Sequence, residues 1–321
     1  MGKLLCGVDL GGTKLSVGLF TREGEQVDKL ETKEHAQKDN DGITADVIGS
    51  VKEILSKNGK TDADLLGIGI GVAAHIRFKE GLVITSSNFK TQFKNYPMRE
   101  KVQSHFTVPV ILDNDANAQA YGEFRFGAGL GRRDVIFMTV STGIGAGIII
   151  NGKLVRGVTG TAGEIGHTII DYDSQQMCTC GNKGCLMAHS SGLFFPSLYR
   201  NKLEVGKNSL FGFAPEDVSK VDGRLILEGM NQGDEISSEI YHESARIVGF
   251  GVYNLFQILN PEAVIIGGGL MNLGPAYLDE IQRTFYSLVK NMMYDRMEII
   301  LAELGSNSGL IGAAALPLEQ S

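Results

Sequence analysis

Apolar residues along the chain fall into two patterns, one that predicts strands and one that predicts helices. Short continuous or alternating apolar runs are typical of strands, whereas apolar positions three or four residues apart are typical of helices. The runs predict strands over residues 4–9, 15–20, 65–72, 108–112, 135–140, 148–150, 263–266 and 297–302. The wider spacing predicts helices over residues 44–57, 115–126, 235–259, 274–291 and 310–316. Because strands alternate with helices, the sequence predicts an α/β fold.

Two strand pairs, each joined by a turn of small residues with a threonine, suggest a weak internal duplication. One pair lies within residues 4–20 and the other within residues 135–150. A chain of 321 residues is also long enough for two hydrophobic cores. We therefore predict a small lobe over residues 1–118 and a large lobe over residues 119–304, with the last helix, about residues 305–321, returning to the small lobe.

Composition and charge narrow the classes of function. The chain carries 30 Lys and Arg against 37 Asp and Glu, and hydrophobic residues make up 43%. Without a basic tract, binding to nucleic acid or to an anionic membrane is not expected. The N-terminus lacks the pattern of a signal peptide, and no apolar run reaches the roughly 18–20 residues that span a bilayer. We expect a cytoplasmic protein.

The first turn has residues suited to binding phosphate. It reads Asp9-Leu10-Gly11-Gly12-Thr13-Lys14. Glycines let the backbone approach a phosphate, successive N–H groups form an anion-binding concavity, and a carboxylate can hold Mg²⁺ directly or through water. The spacing of a Walker A loop is absent. A plain tight hairpin is the alternative interpretation.

Two later glycine segments offer similar chemistry. Thr142-Gly143-Ile144-Gly145 repeats the first turn, and Gly267-Gly268-Gly269 follows a predicted strand. The second segment either takes a nucleotide against its backbone or caps the strand. Gly67, Gly69 and Gly71 alternate within a strand, which favours close packing. No segment completes the G-x-G-x-x-G pattern of a dinucleotide site.

Three of the four cysteines lie within eight residues of each other. In a reducing compartment such a cluster indicates metal ligation rather than a disulfide. Cys6 stands alone in an apolar strand and is predicted to be a buried core residue.

Four motifs together resemble the ROK family (repressors, open reading frames and kinases) over the whole chain. They are Asp9-x-Gly-Gly-Thr13, Asn114-Asp115-Ala116-Asn117-Ala118, Gly163-Glu164-Ile165-Gly166-His167 and Cys178-x-Cys-x4-Cys185. The resemblance implies a two-lobed actin-like ATPase fold of ribonuclease H-like sheets, with ATP in a cleft and its phosphates between the two hairpins. It also implies an ATP-dependent hexose kinase and a homodimer or higher homo-oligomer.

The resemblance assigns roles to single residues. Asp115 matches the catalytic base, and a carboxylate in a closed site suits the one proton transfer of the reaction. Asn114, Glu164 and His167 match ligands of the sugar hydroxyls. Asn114 and Asp115 also suit a helix N-cap, and the two roles are compatible. Asn88 resembles another sugar ligand, with an ordinary turn residue as the alternative.

His167 also matches a metal ligand of the family, so that one ring nitrogen binds metal while the other faces the sugar. With Cys178, Cys180 and Cys185 it completes a Cys₃His set, which is typical of a closed structural zinc site. We expect the metal to order the loop and orient His167.

The sequence departs from the family after the third cysteine. The usual Gly-Cys-Leu-Glu is here Gly-Cys-Leu followed by Met187. Methionine cannot accept the hydroxyl hydrogen bonds of glutamate, so the sugar preference is open. Weaker action on glucose, a preference for another hexose or an N-acyl amino sugar, and sugar binding without efficient turnover are the alternatives. His189 either compensates or is structural. The segment Ala73–Ile76 also differs from the usual Gly-Pro-rich turn.

A sugar-sensing repressor is the main rival from another class of protein. Such family members carry an added N-terminal DNA-binding segment. Asp9 comes so early that we expect no such segment here, and the sequence shows no basic face.

Overall fold

The computed structural model describes residues 2–86, 89–90, 92–290 and 297–320. They divide into two compact units. Unit 1 contains Met1–Phe137, Gly147–Gly163 and Leu301–Ser321, and unit 2 contains Met138–Ala146 and Glu164–Ile300. These ranges are not those of the predicted lobes, because helix 115–126 runs through residue 118 without a break. The division into lobes stays a prediction.

Strands and helices alternate as the sequence predicts, except over residues 186–259, where four helices follow one another. The strands are β1 Leu4–Leu10, β2 Leu15–Phe20, β3 Gln26–Thr32, β4 Leu65–Val72, β5 His75–Arg77, β6 Leu82–Thr85, β7 Val110–Asn114, β8 Val135–Val140, β9 Ile144–Ile150, β10 Lys153–Leu154, β11 Ala263–Gly267 and β12 Glu298–Leu301. The helices are α1 Asn40–Lys57, α2 Met98–Gln103, α3 Asp115–Phe126, α4 Leu186–Ser190, α5 Phe195–Glu204, α6 Gly223–Gln232, α7 Glu235–Leu259, α8 Pro275–Val289 and α9 Ser308–Ala315. Short 3₁₀ turns connect several of them.

The first sheet lies in unit 1 and has the order β3-β2-β1-β4-β7. β1 and β2 form the predicted antiparallel hairpin, while β1, β4 and β7 run parallel. Leu10 pairs with Val72, and Val72 pairs with Asn114. The carboxyl ends of the three parallel strands therefore form one row at the same edge of the sheet.

The second sheet has the order β10-β9-β8-β11-β12. As in the first sheet, an antiparallel pair, here β9 with β10, stands at one side of the sheet. β8, which precedes this pair along the chain, lies next to β9. In both sheets the first three strands across the sheet stand in reverse chain order, β3-β2-β1 and β10-β9-β8, and two later strands follow. This agrees with the duplication that the repeated hairpins suggest.

Helix α9 packs on the first sheet through positions without side chains. An added Cβ on Gly69 would lie 1.8 Å from the carbonyl oxygen of Ala313, and one on Gly67 would lie 2.8 Å from the Pro317 ring. An added Cβ on Gly7 would lie 2.3 Å from the carbonyl oxygen of Leu310. The prediction that the glycines of β4 permit close packing is confirmed for Gly67 and Gly69.

Element boundaries differ from the predicted ones where local chemistry intervenes. β7 begins at Val110, two residues late, because Pro109 has no N–H to donate. α1 begins at Asn40, where the side chain of Asp39 caps it by accepting the Gly42 N–H at 2.8 Å. The predicted end of α8 at Asn291 falls outside the described residues.

Cys6 is fully buried in β1, as predicted, and burial raises the pKa of its thiol to about 12. In the part of the chain that the structure describes, no helix is long and apolar enough to cross a membrane.

Candidate functional site

The turn between β1 and β2 is tight and partly open to solvent. The Gly11 N–H donates to the Lys14 carbonyl at 2.9 Å, and Thr13 is exposed. Asp9 is half-buried beside the start of α9, where an added Cβ on Gly309 would lie 3.0 Å from its carboxylate. Burial raises the pKa of the Asp9 carboxyl, although Lys14 and Lys29 oppose the rise. The turn thus places a carboxylate and backbone N–H groups within a few residues of each other.

Lys14 is held by the neighbouring strand. Its Nζ donates to Glu31 at 2.8 Å, and Lys29 Nζ lies 2.7 Å from the same oxygen. These two lysines lower the pKa of the Glu31 carboxyl to about 2. Glu31 therefore keeps the Lys14 ammonium beside the turn.

His35 supports the same turn from the protein interior. It is fully buried, and its Nε2 lies 2.8 Å from the Gly11 carbonyl oxygen. As the carbonyl can only accept, Nε2 must carry the proton in this bond. The imidazole thus fixes the backbone on the side of the turn that faces the core.

Asn114 and Asp115 meet at the junction of β7 and α3. The Asn114 Oδ1 accepts the N–H groups of Ala116 at 2.9 Å and Asn117 at 3.2 Å, so Asn114 is the N-cap of α3. The Asp115 Oδ1 accepts from Asn114 Nδ2 and from the Ala116 N–H, both at 3.0 Å. The Asn114 Nδ2 also donates to the Ala74 carbonyl at 3.3 Å. The Asp115 carboxylate is therefore held in a defined orientation.

The parallel register brings these two groups of residues to the same edge of the first sheet. Asp9 pairs with Gly71, and Gly71 pairs with Asp113. Two strand spacings separate the backbone of β1 from that of β7, about 10 Å. The first turn and the start of α3 therefore lie close enough to contact one bound ligand.

Two glycine turns lie side by side in unit 2. The Ser141 N–H donates to the Gly143 carbonyl at 2.9 Å and closes the turn after β8. Gly268 has φ 97°, and an added Cβ there would lie 2.4 Å from the Val140 carbonyl oxygen. Only glycine fits this position, since φ is left-handed and the space is filled. The backbones of the turns after β8 and β11 therefore pack directly against each other.

Met187 packs beside the residues that carry His167. Only 7% of Met187 is exposed. Its Sδ lies 3.6 Å from where a Cβ on Gly143 would stand, and its Cβ lies 3.3 Å from the corresponding position on Gly166. A thioether thus occupies the space between the turn after β8 and the 3₁₀ turn Ile165–His167.

His167 presents its two ring nitrogens to different groups. Its Nδ1 lies 3.5 Å from Cys178 Sγ, and its Nε2 lies 3.9 Å from a carboxylate oxygen of Glu164. Both His167 and Glu164 are about one-third exposed, at 31% and 35%. One nitrogen is therefore directed at the cysteines and the other at a solvent-accessible carboxylate.

The predicted metal ligands converge. One ligand atom from each of His167, Cys178, Cys180 and Cys185 lies within 4.8 Å of the others. A tetrahedral zinc ion with bonds of about 2.3 Å to sulfur and 2.0 Å to nitrogen separates two sulfurs by about 3.8 Å and sulfur from nitrogen by about 3.5 Å. The Cys180–Cys185 sulfurs are 3.6 Å apart and the Cys178–His167 pair is 3.5 Å apart. The donor set fits zinc.

Comparison with known families gives the decisive observation. The ROK family model matches residues 5–320. The chain belongs to the ROK family.

Individual relatives agree with this assignment. The glucokinase of Halalkalibacterium halodurans is 32% identical over 98% of this chain and 94% of its own length. The crystal structure of a ROK family glucokinase from Streptomyces griseus in complex with glucose and AMPPNP is 33% identical, covers 98% of both chains and has a TM-score of 0.77. The xylose repressor of Caldicellulosiruptor bescii is 31% identical over 97% of this chain and 77% of its own. The fold is the two-lobed actin-like ATPase fold of ROK kinases.

The remaining residues singled out in the sequence have varied positions. Gly145 is the second residue of β9, and Gly269 begins a 3₁₀ turn after β11. His189 Nε2 lies 2.9 Å from Ser174 Oγ, in keeping with a structural role. Asn88 lies outside the described residues.

Sequence reasoning missed several residues that support the ROK motifs. His35 and Glu31 hold the first turn, and Arg156 and Glu319 form ion pairs close to the start of α3. No local spacing marks them, because each is brought to its partner by the fold. The carboxylate Asp113, directly before Asn114, was the one available signal.

Proposed function

We propose that this chain, a sugar kinase of the ROK family that uses ATP, phosphorylates a hexose, glucose or a related sugar at O6, with Asp115 as general base. The observation that carries the proposal is the register of the first sheet, which aligns the end of β1 with Asn114 at the end of β7. Transfer of a phosphoryl group depends on positioning and charge stabilisation, so a fixed carboxylate near a phosphate turn suits it.

The phosphate-binding residues we assign come from three turns. They are Asp9, Gly11, Gly12, Thr13 and Lys14 in the first, Thr142, Gly143 and Gly145 in the second, and Gly267, Gly268 and Gly269 in the third. Asp9 would hold Mg²⁺ of the nucleotide directly or through water, and the magnesium would neutralise charge on the phosphates. Backbone N–H groups and the Lys14 ammonium would bind the phosphate oxygens.

The sugar-binding residues we assign are Asn114, Asp115, Glu164 and His167, and Asn88 stays a prediction outside the described residues. Asp115 accepts the proton of the attacking sugar hydroxyl. At the same time the hydroxyl oxygen bonds to the γ-phosphorus of ATP and the bond between that phosphorus and ADP breaks. The hydrogen bonds from Asn114 and Ala116 hold the carboxylate in place for this step. Glu164 can accept sugar hydroxyls, and His167 Nε2 can donate or accept one.

We assign a structural zinc to His167, Cys178, Cys180 and Cys185. A Cys₃His set leaves no open position for water, so the metal would order the loop and fix the His167 ring. A homodimer or higher homo-oligomer, which the family resemblance implies, remains a prediction.

A second candidate substrate is an N-acyl amino sugar. Met187 favours it, because a buried thioether offers an apolar contact where the family's glutamate accepts hydroxyl hydrogen bonds. An acetamido group presents a methyl group that could pack against such a surface. This alternative changes the acceptor and leaves the proposed chemistry unchanged.

An assay of ADP release over glucose, mannose, fructose, N-acetylglucosamine and N-acetylmannosamine tests both candidates. We expect turnover on at least one sugar, and Asp115→Asn should lower kcat about 10²- to 10⁴-fold with sugar binding largely kept. Asp217→Asn, an exposed change on a 3₁₀ turn, is the control and should leave the rate unchanged.

Two outcomes would contradict the proposal. Retention of the rate in Asp115→Asn removes Asp115 as the base. Calorimetric binding of a hexose or of xylose, with no turnover on any sugar, would make the protein a sugar-binding member of the family instead of a kinase.

A further inference from the structure

A buried ion-pair network reaches the start of α3 from two distant parts of the chain. Arg156 Nε donates to the Asp113 Oδ2 at 2.7 Å. Its Nη1 and Nη2 donate to the two carboxylate oxygens of Glu319 at 3.1 Å and 2.5 Å. The three side chains are 12%, 2% and 11% exposed, respectively. One guanidinium thus joins a carboxylate on β7 to a carboxylate near the end of the chain.

Asp113 connects this network to Asn114 and Asp115. Its Oδ1 accepts the Asn114 N–H at 2.8 Å and the Asn117 Nδ2 at 2.9 Å. Asn114 in turn caps α3 and donates to Asp115. A displacement of the Asp113 carboxylate must therefore move the backbone N–H of Asn114 or break a buried hydrogen bond.

The geometry around Arg156 leaves little freedom. Its guanidinium lies 3.7 Å from the centre of the Phe78 ring, and Glu319 Oε1 also accepts the Leu154 N–H at 3.0 Å. The planar guanidinium donates to two carboxylates and stacks on an aromatic ring, so it can bind in only one orientation. A lysine ammonium cannot reproduce these contacts. Burial raises the pKa of Asp113, while Arg156 and the hydrogen bonds from Asn117 and Asn114 oppose the rise.

We propose that Arg156 and Glu319 are positioning residues for the proposed base, acting on Asp115 through Asp113 and Asn114. The inference rests on the proposed role of Asp115. The segment Leu316–Gln320, far from Asp115 along the chain, would then set the turnover rate without touching substrate. Small misplacements of a reacting group can cost up to about 100-fold in rate, so loss of the Arg156 ion pairs with Asp113 and Glu319 should act mainly on kcat.

The test compares Glu319→Gln and Arg156→Lys in the full chain. We expect kcat to fall about 10- to 100-fold in each, with the KM for ATP within about twofold of the wild-type value. Rates are measured well below the melting temperature of each variant, so that unfolding does not contribute. Addition of guanidinium ion to Arg156→Ala should restore part of kcat, because the ion can occupy the space between Asp113 and Glu319.

Glu123→Gln is the matched control. Glu123 is a fully buried carboxylate on α3, the helix that begins at Asp115. At the other end of α3 it accepts the N–H groups of Ala128, Glu303 and Leu304. We expect this change to lower the melting temperature with kcat within about twofold of wild type. It separates a general loss of stability from a loss of positioning.

The outcomes are decisive in both directions. A kcat within twofold of wild type in folded Glu319→Gln overturns the inference, and so does an equal fall in kcat in Glu123→Gln. If Arg156→Lys does not fold, Glu319→Gln alone decides, since glutamine keeps the shape and one acceptor oxygen. Asp115→Asn is assayed in parallel. A retained kcat in Asp115→Asn refutes the proposed base. A lost kcat in Asp115→Asn together with an unchanged kcat in Glu319→Gln refutes only the positioning role of Arg156 and Glu319.

Discussion

Single residues in this protein often satisfy a structural demand and present a functional group at once. Asn114 uses its Oδ1 to cap α3 and its Nδ2 to hold Asp115. His167 directs one ring nitrogen to the cysteines and the other to Glu164. The two interpretations of such residues are therefore not exclusive, because a side chain with two polar atoms can serve two partners.

Asp234 gives a prediction about acid stability. It caps α7 from a fully buried position and accepts the N–H groups of Ser237 and Leu210, both at 2.7 Å, and the Tyr199 hydroxyl at 3.1 Å. Burial alone would raise the pKa of the Asp234 carboxyl, but the hydrogen bonds from Ser237, Leu210 and Tyr199 outweigh burial and lower it. The stabilisation is therefore present above the unfolded-state pKa of about 3.9 and is lost as the pH falls through the lower folded-state pKa.

Asp234→Asn should lower the free energy of unfolding at pH 7 by about 1–3 kcal/mol, because its amide nitrogen or oxygen must leave one buried partner unsatisfied. Below about pH 3.9 the difference from wild type should shrink, which urea denaturation over a pH series would measure. The control is Asp222→Asn at the N-cap of α6. Its carboxylate is half-exposed at 52%, accepts the Leu225 N–H at 3.0 Å and lies 3.4 Å from Arg224 Nε. Parallel pH curves for wild type and Asp234→Asn would contradict this role.

At the scale of elements, the residues we assign to the functional site stand at the ends of strands and in the turns that follow them. The turn after β1, the start of α3 after β7 and the glycine segments after β8 and β11 all have this position. Strand ends suit binding, since a rigid sheet fixes the backbone while the following turn exposes N–H groups and side chains. The cysteine loop differs, because between the 3₁₀ turn Ile165–His167 and α4 it has little regular structure of its own.

The cysteine loop therefore should depend on a metal. Elemental analysis should find about one zinc per chain, and Cys178→Ser should lose it and bind the sugar more weakly, because the His167 ring is then no longer fixed. Cys6→Ala changes a buried cysteine outside the cluster and should keep the zinc. Full sugar affinity in metal-free protein would show that the loop orders itself without zinc.

At the scale of the whole molecule, the last helix completes the first unit. α9 packs against α3, β1 and β4, and Asp9 faces its Gly309. Close approach is possible because glycines occur on both surfaces: an added Cβ on Gly122 would lie 2.8 Å from the Cα of Gly312. The end of the chain is thus part of the core that supports the β1 turn and the start of α3.

Gly69→Ala tests this arrangement. The new methyl group would lie 1.8 Å from the Ala313 carbonyl oxygen, so α9 must move, and we expect a loss of about 3 kcal/mol or more in the free energy of unfolding. Gly49→Ala on the exposed face of α1 meets nothing within 4 Å and should instead stabilise by about 0.5–1 kcal/mol. Thermal and urea unfolding measure both, and equal stability of Gly69→Ala and wild type would show that α9 does not dock as described.

The sequence by itself determined the α/β class, the family and most long elements. Apolar periodicity specified α3 and α7 to the residue, because the caps Asn114 and Asp234 stand next to the apolar pattern. The proposed metal ligands and the proposed phosphate turns also come from the sequence, since their chemistry depends on short spacings that the chain keeps locally.

Only the tertiary structure decided which distant residues support those motifs. Arg156 and Glu319 lie 43 and 206 positions from Asp113 along the chain, so no local pattern could pair them with it. His35 beneath Gly11 and Met187 beside Gly143 are likewise juxtaposed by packing. A motif needs only nearby residues of the right type, whereas the orientation of its side chains is set by contacts that form when the whole chain has folded.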